Sequence, residues 1–284
     1  MPRISYRLEN GRFSVTCART GRTQSFTAYK AGTASTEQFN RAFTWRLGGV
    51  YSFDNGLAPY ASYARSFQPQ TGSDYYGHAF APTTGEQYEV GLKIQPKGFD
   101  SFITASLFHI DKNNVQTTDS QHAGFSVLTG RVRSQGVEIE AHANIAEHLN
   151  LIASYTYTNL LNTKNTTSTL NKIPVGIPRN AASLWADYDI ARGLFSGLTL
   201  GAGVRYTGGS YGDTANSFLT SSATLVDLAL RYDLGRASHL LRGMTVTFNA
   251  SNQLDRHYLS ECSSTSHCDW GMGRIVTAGL NYQW

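Results

Sequence analysis

The sequence has little charge and no long hydrophobic segment. Charged residues make up 15% of the 284-residue chain, whereas a soluble domain usually carries about 25%. No stretch of about 20 consecutive apolar residues occurs, which excludes a conventional membrane-spanning helix. The net charge of +4 is not gathered into a lysine and arginine run, which argues against a nucleic-acid-binding segment. Apolar residues nowhere keep a helical spacing for long, so an α-helical domain is not expected either.

The chain instead alternates apolar and polar residues. In its last segment Val276, Leu280 and Tyr282 share one face, and Thr277 and Asn281 share the other. Successive side chains of a strand point to opposite faces, so one face of this strand suits lipid and the other suits water. Aromatic residues make up 12% of the chain, and in membrane β-barrels such residues collect at the two interfaces. The composition therefore favours a membrane β-barrel.

Short turns and long polar loops also alternate, from residue 41 to residue 284. In outer-membrane barrels the short turns are periplasmic and the long loops lie outside the cell. We predict an all-β, antiparallel, up-and-down transmembrane β-barrel segment of about 12 strands. Residues 1–40 are less regular, and we expect one strand from about Ile4 to Val15 and a long loop from about Cys17 to Asn40. Residues 41–284 are expected to form the barrel portion.

Several segments resemble the C-terminal half of the barrel of TonB-dependent ferric-siderophore receptors, particularly those of the ferrichrome or hydroxamate type. In the order of that family, the resembling segments are FDNGLAPYASYARSFQP (53–69), GEQYEVGLK (85–93), RSQGVEIEA (133–141), IPRNAASLWADY (177–188), GLTLGAGVRYTGGSYGD (197–213), ATLVDLALRYDL (223–234), SNQLDRHYLSEC (251–262) and GRIVTAGLNYQW (273–284). Where the family usually has Asn-Leu-Phe-Asp, this chain has Asn252-Gln253-Leu254-Asp255.

The resemblance implies a receptor, not an enzyme, that binds a ferric siderophore and imports it across the Gram-negative outer membrane with energy transmitted by TonB. Complete receptors of this family resemble a barrel of about 22 strands that holds an N-terminal plug, preceded by a TonB box and a signal peptide. These three segments are not recognisable in the sequence, so we expect a fragment that does not transport alone. The alternative is an autonomous 12-stranded outer-membrane channel, closed by pairing its N-terminal strand with residues 275–284.

The resemblance also implies partners. They are outer-membrane lipid, the ferric siderophore, the barrel-assembly machinery and, through a plug only, the TonB complex; nucleic acid is not among them. No cofactor and no protein metal ligand is expected, because the iron arrives already chelated. Leu280, Tyr282 and Trp284 are interpreted as a barrel-assembly signal at the end of the last strand, although Trp284 can also be an interfacial girdle residue.

Eight aromatic residues fall in the predicted extracellular loops and are candidates to face the ligand: Tyr75, Tyr76, Phe80, Phe125, Tyr211, Phe218, Tyr258 and Trp270. Aromatic side chains in a loop vestibule suit a bulky, partly apolar iron chelate. For each of them, packing within its own loop or a place in the interfacial girdle is the alternative.

Two of the three cysteines, Cys262 and Cys268, lie in the last predicted extracellular loop. The exterior of the cell is oxidising, which favours a disulfide between them. A metal site that also uses His257 and His267 is the alternative, but these spacings match no recognised zinc pattern. Cys17 has no evident partner.

Glu138 and Glu140 are two residues apart on one predicted strand and therefore share a face. Two adjacent carboxylates can form a catalytic pair. They can equally line the lumen and pair with lumen arginines such as Arg205 and Arg231. The sequence contains no Gly-x-Ser-x-Gly segment, so we favour the lining role.

Overall fold

The computed structural model describes residues 3–7, 12–28, 36–96, 98, 100–119, 121–193 and 195–283, with side chains from Phe43 onward. The strands are β1 Arg3–Arg7, β2 Arg12–Ala28, β3 Thr36–Ser52, β4 Leu57–Gln68, β5 Thr83–Ile94, β6 Ser101–Thr118, β7 Ser126–Ala146, β8 Leu149–Lys164, β9 Asn180–Ile190, β10 Leu198–Thr207, β11 Ala223–Asp233, β12 Met244–Ser251, β13 Leu259–Ser264, β14 His267–Trp270 and β15 Ile275–Tyr282. A helical turn, α1 Leu234–Ala237, and a 3-10 helix, His239–Leu241, connect β11 to β12. Among the described residues no helix is long and apolar enough to cross a membrane.

β1 to β12 and β15 form one sheet of 13 strands, ordered in the sheet as they are in the chain. β13 and β14 form a separate two-stranded sheet. The pairings β9 with β10 and β10 with β11 are antiparallel, as neighbours joined by short turns must be. The all-β, antiparallel prediction is confirmed, with a strand count close to the predicted one.

The first 40 residues differ from the prediction of one strand and a long loop. β2 runs without a break from Arg12 to Ala28 and pairs with β3, which begins at Thr36. Cys17 therefore lies on a strand, and its side chain is outside the described ones. The irregular apolar pattern misled the prediction, because strand pairing depends on a neighbouring backbone as well as on alternation.

Strands β6 and β7 extend into a polar part of the chain. β6 reaches Thr118 and β7 begins at Ser126, so much of the polar sequence between Lys112 and Gly130 is strand. Here the Thr117 hydroxyl donates to the Val127 carbonyl at 3.3 Å, and the Asp119 amide donates to the Phe125 carbonyl at 2.9 Å. Hydrogen bonds between neighbouring strands do not require apolar residues, so strands continue where the apolar alternation stops.

The chain divides into two compact units. Unit 1 contains Met1–Lys93, Ser106–Val137 and Thr158–Pro174, and unit 2 contains Ile94–Ala105, Glu138–Tyr157 and Val175–Trp284. Neither unit has a boundary at residue 40, and the predicted division of the chain there stays a prediction.

In unit 1 an aromatic row follows the apolar face of the sheet. The ring centroids of Trp45 and Tyr63 are 4.7 Å apart, and those of Tyr63 and Tyr88 are 4.8 Å apart. Leu47 lies opposite Tyr63 in the register and is exposed, so this face is apolar and exposed. On the other face Tyr60 donates a hydrogen bond of 2.7 Å to Glu89. The two faces therefore have the characters that the alternation predicted.

In unit 2 the register keeps each class of residue on one face across neighbouring strands. Leu200 lies opposite both Tyr188 and Leu230, and Leu230 lies opposite Phe248. Directly opposed residues share a face, so these side chains form one continuous apolar stripe.

The opposite, polar face of unit 2 has a close approach that requires glycine. A Cβ atom at Gly203 would come within 2.2 Å of the Trp185 ring, and one at Gly201 within 2.6 Å. Trp185 thus lies flat over both glycines. This explains the glycine pair in β10.

Candidate functional site

The loop after β4 forms a small hairpin of its own. The Asp74 amide donates to the His78 carbonyl at 3.0 Å, and the Gly77 amide donates to the Asp74 carbonyl at 3.1 Å. The Asp74 carboxylate also accepts the His78 amide at 2.8 Å and lies 3.0 Å from His78 Nδ1. These bonds hold Tyr75 and Tyr76 at the tip of the turn, where they are 49% and 70% exposed.

The loop between β6 and β7 is ordered in a similar way. The Asp119 carboxylate accepts the Gln121 amide at 2.8 Å and lies 2.8 Å from His122 Nδ1. The Phe125 amide donates to the His122 carbonyl at 3.2 Å. Both loops thus use an aspartate to fix a histidine three or four residues later.

The two loop tips meet through their rings. Tyr75 stacks on His122, with centroids 3.7 Å apart and planes inclined by 12°. Phe125 packs edge-on against Tyr75 at 5.1 Å, and Tyr76 packs against His122 at 5.6 Å. We call Tyr75, Tyr76, His122 and Phe125 the first loop cluster. Tyr75, Tyr76 and Phe125 are exposed, so the cluster offers apolar faces and phenol hydroxyls to a ligand beside a half-buried imidazole.

The carboxylates beneath the first loop cluster are stabilised in their ionised form. The hydrogen bond from the Gln121 amide, followed by that from the His122 side chain, lowers the pKa of Asp119. For Asp74, burial acts to raise the pKa, but the hydrogen bonds from the His78 amide and side chain outweigh burial, and the pKa is lowered. The hydrogen bonds that connect these loops therefore favour the ionised aspartates.

Phe80 does not belong to the exposed set. It is 5% exposed, its ring packs over Gly72, and its amide donates to the Gly72 carbonyl at 3.1 Å. The hairpin closes over that ring, so Phe80 is not accessible in this structure, and a role towards a ligand stays a prediction. Phe80 packs its own loop.

The remaining candidates lie in unit 2, around the pair β13 and β14. Cys262 and Cys268 form a disulfide with an S–S distance of 2.00 Å, and we call β13, β14 and this bond the disulfide hairpin. Within the described residues no group of three or more His, Cys, Asp and Glu side chains could hold a metal ion. The cysteines are therefore used in the predicted bond.

Aromatic rings pack around the disulfide hairpin at glycines. A Cβ atom at Gly212 would come within 2.2 Å of the Phe218 ring and 3.0 Å of Cys262 Cβ. A Cβ atom at Gly271 would come within 2.1 Å of the Tyr258 ring. Tyr211 is half-buried in the same loop as Phe218, and its carbonyl accepts the Gly176 amide at 3.1 Å.

Trp270 ends β14 and is 70% exposed. It is therefore the most accessible of the four candidates in unit 2. Its indole has open space on the surface of the disulfide hairpin, in contrast to the rings of Phe218 and Tyr258.

A hydrogen-bond network anchors the base of the last long loop. Arg205 Nη2 donates to the Asp227 carboxylate at 3.0 Å, and the same carboxylate accepts the Asn252 amide at 2.9 Å. The Asn252 side chain donates to the Arg256 and Met272 carbonyls at 2.9 and 3.1 Å. Arg205 thus pairs with Asp227 rather than with Glu138 or Glu140, because Asp227 lies beside it on the adjacent strand.

Glu138 and Glu140 are both exposed on β7. Leu280 and Tyr282 are exposed on the apolar face of β15, as the alternation requires. Trp284 lies outside the described residues, and the role of these three residues as an assembly signal stays a prediction.

Three members of the first loop cluster, Tyr75, Tyr76 and Phe125, were predicted from the sequence. His122 and the two supporting aspartates were not. The available signal was an aspartate followed by a histidine three or four residues later, which occurs in both loops as Asp74 with His78 and as Asp119 with His122. This spacing suits local hydrogen bonding in turns.

Residues 6–252 match the family model described as TonB dependent receptor-like, beta-barrel. The chain is 44% identical over 255 residues to the ferrichrome outer membrane transporter/phage receptor of Escherichia coli K12, covering 89% of this chain and 33% of that protein. It is 36% identical over 237 residues to the ferrioxamine B receptor of Salmonella typhimurium SL1344, covering 84% of this chain and 33% of that protein. The chain thus spans about a third of the length of these curated relatives.

The fold is shared with a solved receptor structure. The solved structure of BauA, the ferric preacinetobactin receptor of Acinetobacter baumannii, superposes with a TM-score of 0.78 at 22% identity, covering 95% of this chain and 40% of that one. The sequence match and the shared fold together show that the chain belongs to the β-barrel family of TonB-dependent receptors, which are receptors and not enzymes.

Proposed function

We propose that the chain contributes part of the barrel of an outer-membrane receptor that takes up a ferric siderophore in a TonB-dependent manner. The hydroxamate type is the preferred substrate class. The observation that carries this proposal is the sequence similarity to proteins named for ferrichrome and ferrioxamine. Iron enters as part of the chelated cargo, so the proposal assigns no iron ligand to this chain.

The first loop cluster supports the proposal on chemical grounds. A ferric hydroxamate is bulky and has apolar methylene segments around a polar centre, and rigid aromatic faces bind such a surface at low cost in conformational entropy. Tyr75, Tyr76 and Phe125 supply these faces, with Trp270 as a further exposed ring in unit 2. Tyr211, Phe218 and Tyr258 position the loops of unit 2 by packing in this proposal.

The test uses a chimera in which this chain replaces the matching segment of the Escherichia coli ferrichrome transporter. The chimera is produced in a host without its own ferrichrome receptor, and uptake of radiolabelled ferrichrome and ferrioxamine B is measured. We expect uptake of at least one chelate, and we expect it to stop when TonB is removed from the host. A chimera that assembles in the outer membrane but binds neither chelate would contradict the proposal.

A matched pair of variants separates binding from folding. Changing Tyr76 to Ala removes a ring that is 70% exposed, and we expect chelate affinity to fall by roughly tenfold, as for an aromatic contact residue. Changing Tyr51 to Ala removes a ring of the outward, apolar face. This control should leave chelate affinity unchanged in the assembled chimera.

In the same proposal, the apolar face of unit 1 and the apolar stripe of unit 2 lie against outer-membrane lipid. It also gives Leu280, Tyr282 and Trp284 to recognition by the barrel-assembly machinery. Replacing Leu280 and Tyr282 by Ser in the chimera should lower the amount of assembled protein while leaving the affinity of each assembled molecule unchanged. Normal assembly of this variant would remove the signal role from these residues.

A further inference from the structure

We infer that a basic cleft at the short-turn end of unit 2 binds an acidic peptide segment. The cleft has a volume of about 570 Å³ and is lined by Arg231, Asp233, Arg236, His239 and Arg242, together with Thr245 and Gln283. A second cavity of about 320 Å³, which includes His148 and Asp189, shares Arg231, Asp233 and Arg236 with it. This site lies in unit 2 alone and does not depend on the proposed siderophore function.

The register places the basic cleft on the polar face of the sheet. Thr199 lies directly opposite both Asp189 and Arg231, so these three residues share a face. Leu200 and Leu230 oppose one another on the other, apolar face. A lipid headgroup approaches along the apolar face, whereas a polypeptide or a soluble ion can reach the polar one. This geometry favours a soluble occupant over a lipid headgroup.

Positive charge in the basic cleft exceeds the negative charge available to neutralise it. Asp233 caps α1 by accepting the Gly235 amide at 3.0 Å, and its other oxygen lies 3.9 Å from Arg236 Nε. Among the described residues, Arg231 and Arg242 have no carboxylate within 4.0 Å. Three arginines thus converge with one aspartate, and an anionic ligand is the electrostatic complement.

Two glycines give the basic cleft its shape. Gly197 has a φ of +91°, and a Cβ atom there would come within 3.0 Å of the Arg236 side chain. Gly243 has a φ of +84°, and a Cβ atom there would come within 2.1 Å of the Gln283 carbonyl oxygen. Both positions combine a left-handed backbone with close packing, so the turns hold the arginine-bearing segments against the sheet.

The form of the basic cleft fits a peptide better than a single phosphate. Its arginines come from three places in the chain, namely β11, α1 and the segment before β12. Thr245 and Gln283 add side-chain donors and acceptors that a peptide backbone can use. A segment with two or more carboxylates can pair with separate guanidinium groups at once, whereas one phosphate can occupy only part of the volume.

The test measures binding of fluorescein-labelled hexaglutamate to the full chain in neutral detergent micelles, by fluorescence anisotropy at low salt. We expect the double variant Arg231→Gln with Arg242→Gln to bind at least about tenfold more weakly, because two charge-assisted contacts are lost. Labelled hexaglutamine should not bind. Added salt should weaken hexaglutamate binding by screening the charges.

Arg192→Gln is the matched control, since Arg192 is exposed near the same end of unit 2 but does not line the basic cleft. Its affinity should stay within about twofold of the unmodified chain, as for an exposed charge that makes no contact. If the double variant does not fold, Arg242→Gln alone, which lies outside the strands, gives the same comparison. Equal binding of hexaglutamate and hexaglutamine, or an equal loss in Arg192→Gln, would overturn the inference. Displacement of the peptide by equimolar inorganic phosphate, or by phosphatidylglycerol in mixed micelles, would overturn its assignment to a peptide.

Discussion

The first loop cluster of unit 1 and the disulfide hairpin of unit 2 both present aromatic rings on long loops, but different forces hold them in place. The first is built from ring stacking and from aspartate hydrogen bonds to neighbouring residues. The second is closed by the covalent bond between Cys262 and Cys268. Stacking and hydrogen bonds are individually weak and reversible, whereas a disulfide persists until it is reduced.

This difference indicates a division of labour between the two groups. Loops joined only by non-covalent contacts can separate and close again at small cost in free energy. We therefore expect the first loop cluster to adjust around a ligand, while the disulfide hairpin keeps its shape. The comparison can be tested by removing the disulfide from one group, and the ring stack or the aspartate charge from the other.

The largest effect should follow removal of the disulfide. We expect the double variant Cys262→Ser with Cys268→Ser to destabilise the disulfide hairpin locally by about 2 kcal/mol, because the lost bond closed a ring with a sequence separation of 6. Amide hydrogen exchange over residues 259–270 should accelerate, and chemical reduction of the unmodified chain should do the same. Exchange in the first loop cluster should not change. Equal acceleration in both groups would show that the two are not ordered independently.

A smaller effect is expected from loss of the central stack. Changing Tyr75 to Ala removes its contacts with His122 and Phe125, which we expect to cost about 1 kcal/mol, as for an aromatic pair. The ring-current shift of the His122 protons, measured by NMR, should then disappear. Tyr75→Phe keeps the ring and should keep that shift. If the shift survives in Tyr75→Ala, the stack is not what orders these loops.

Acidification should have a smaller effect, and it should act on the first loop cluster and not on the disulfide hairpin. The pKa values of Asp74 and Asp119 are lowered in the folded loops, so their stabilising effect is complete above the ordinary aspartate pKa of about 4. The effect is lost as the pH falls below that value and through the folded pKa.

The loss can be followed from the NMR signals of Tyr75 and His122 in an acid titration. Asp119→Asn should remove the contribution of Asp119 to this transition, because asparagine does not ionise. Signals of the disulfide hairpin should not follow the same titration. A transition of equal size in both groups would assign the acid effect to the whole sheet.

The smallest effect is expected at Trp270. Its side chain is 70% exposed at the end of β14, so Trp270→Ala should change the free energy of unfolding by no more than about 0.5 kcal/mol. Denaturant unfolding of the full chain in detergent would measure this. A much larger loss would mean that the indole packs the disulfide hairpin instead of remaining available to a ligand.

The sheet could be predicted from the sequence because its faces are encoded locally. The alternation of Val276 and Leu280 with Thr277 and Asn281 assigns each side chain to a face without knowledge of any partner strand. The turn glycines and the lengths of the connections then order neighbouring strands. β2 was not predicted, because its alternation is weak and backbone pairing with β3 defines the strand.

The candidate site was predictable by region but not by contact. Tyr75, Tyr76 and Phe125 were identified because aromatic residues are unusual in polar loops. The stack of Tyr75 on His122 joins two loops that are far apart in the chain, and no local pattern encodes such a meeting. Phe80, like Phe125, is an aromatic residue in a polar loop. It is nevertheless buried, because its hairpin closes over it.

The sequence by itself determined the all-β class, the two faces of the strands, the family and the pair of cysteines able to bond. These properties depend on residue type and on spacing within one strand or loop. Only the tertiary structure decided that His122 joins the first loop cluster, that Arg205 pairs with Asp227, and that three arginines line one cleft. Such contacts depend on the register between strands and on the path of each loop, because a side chain's neighbours in space come from distant parts of the chain.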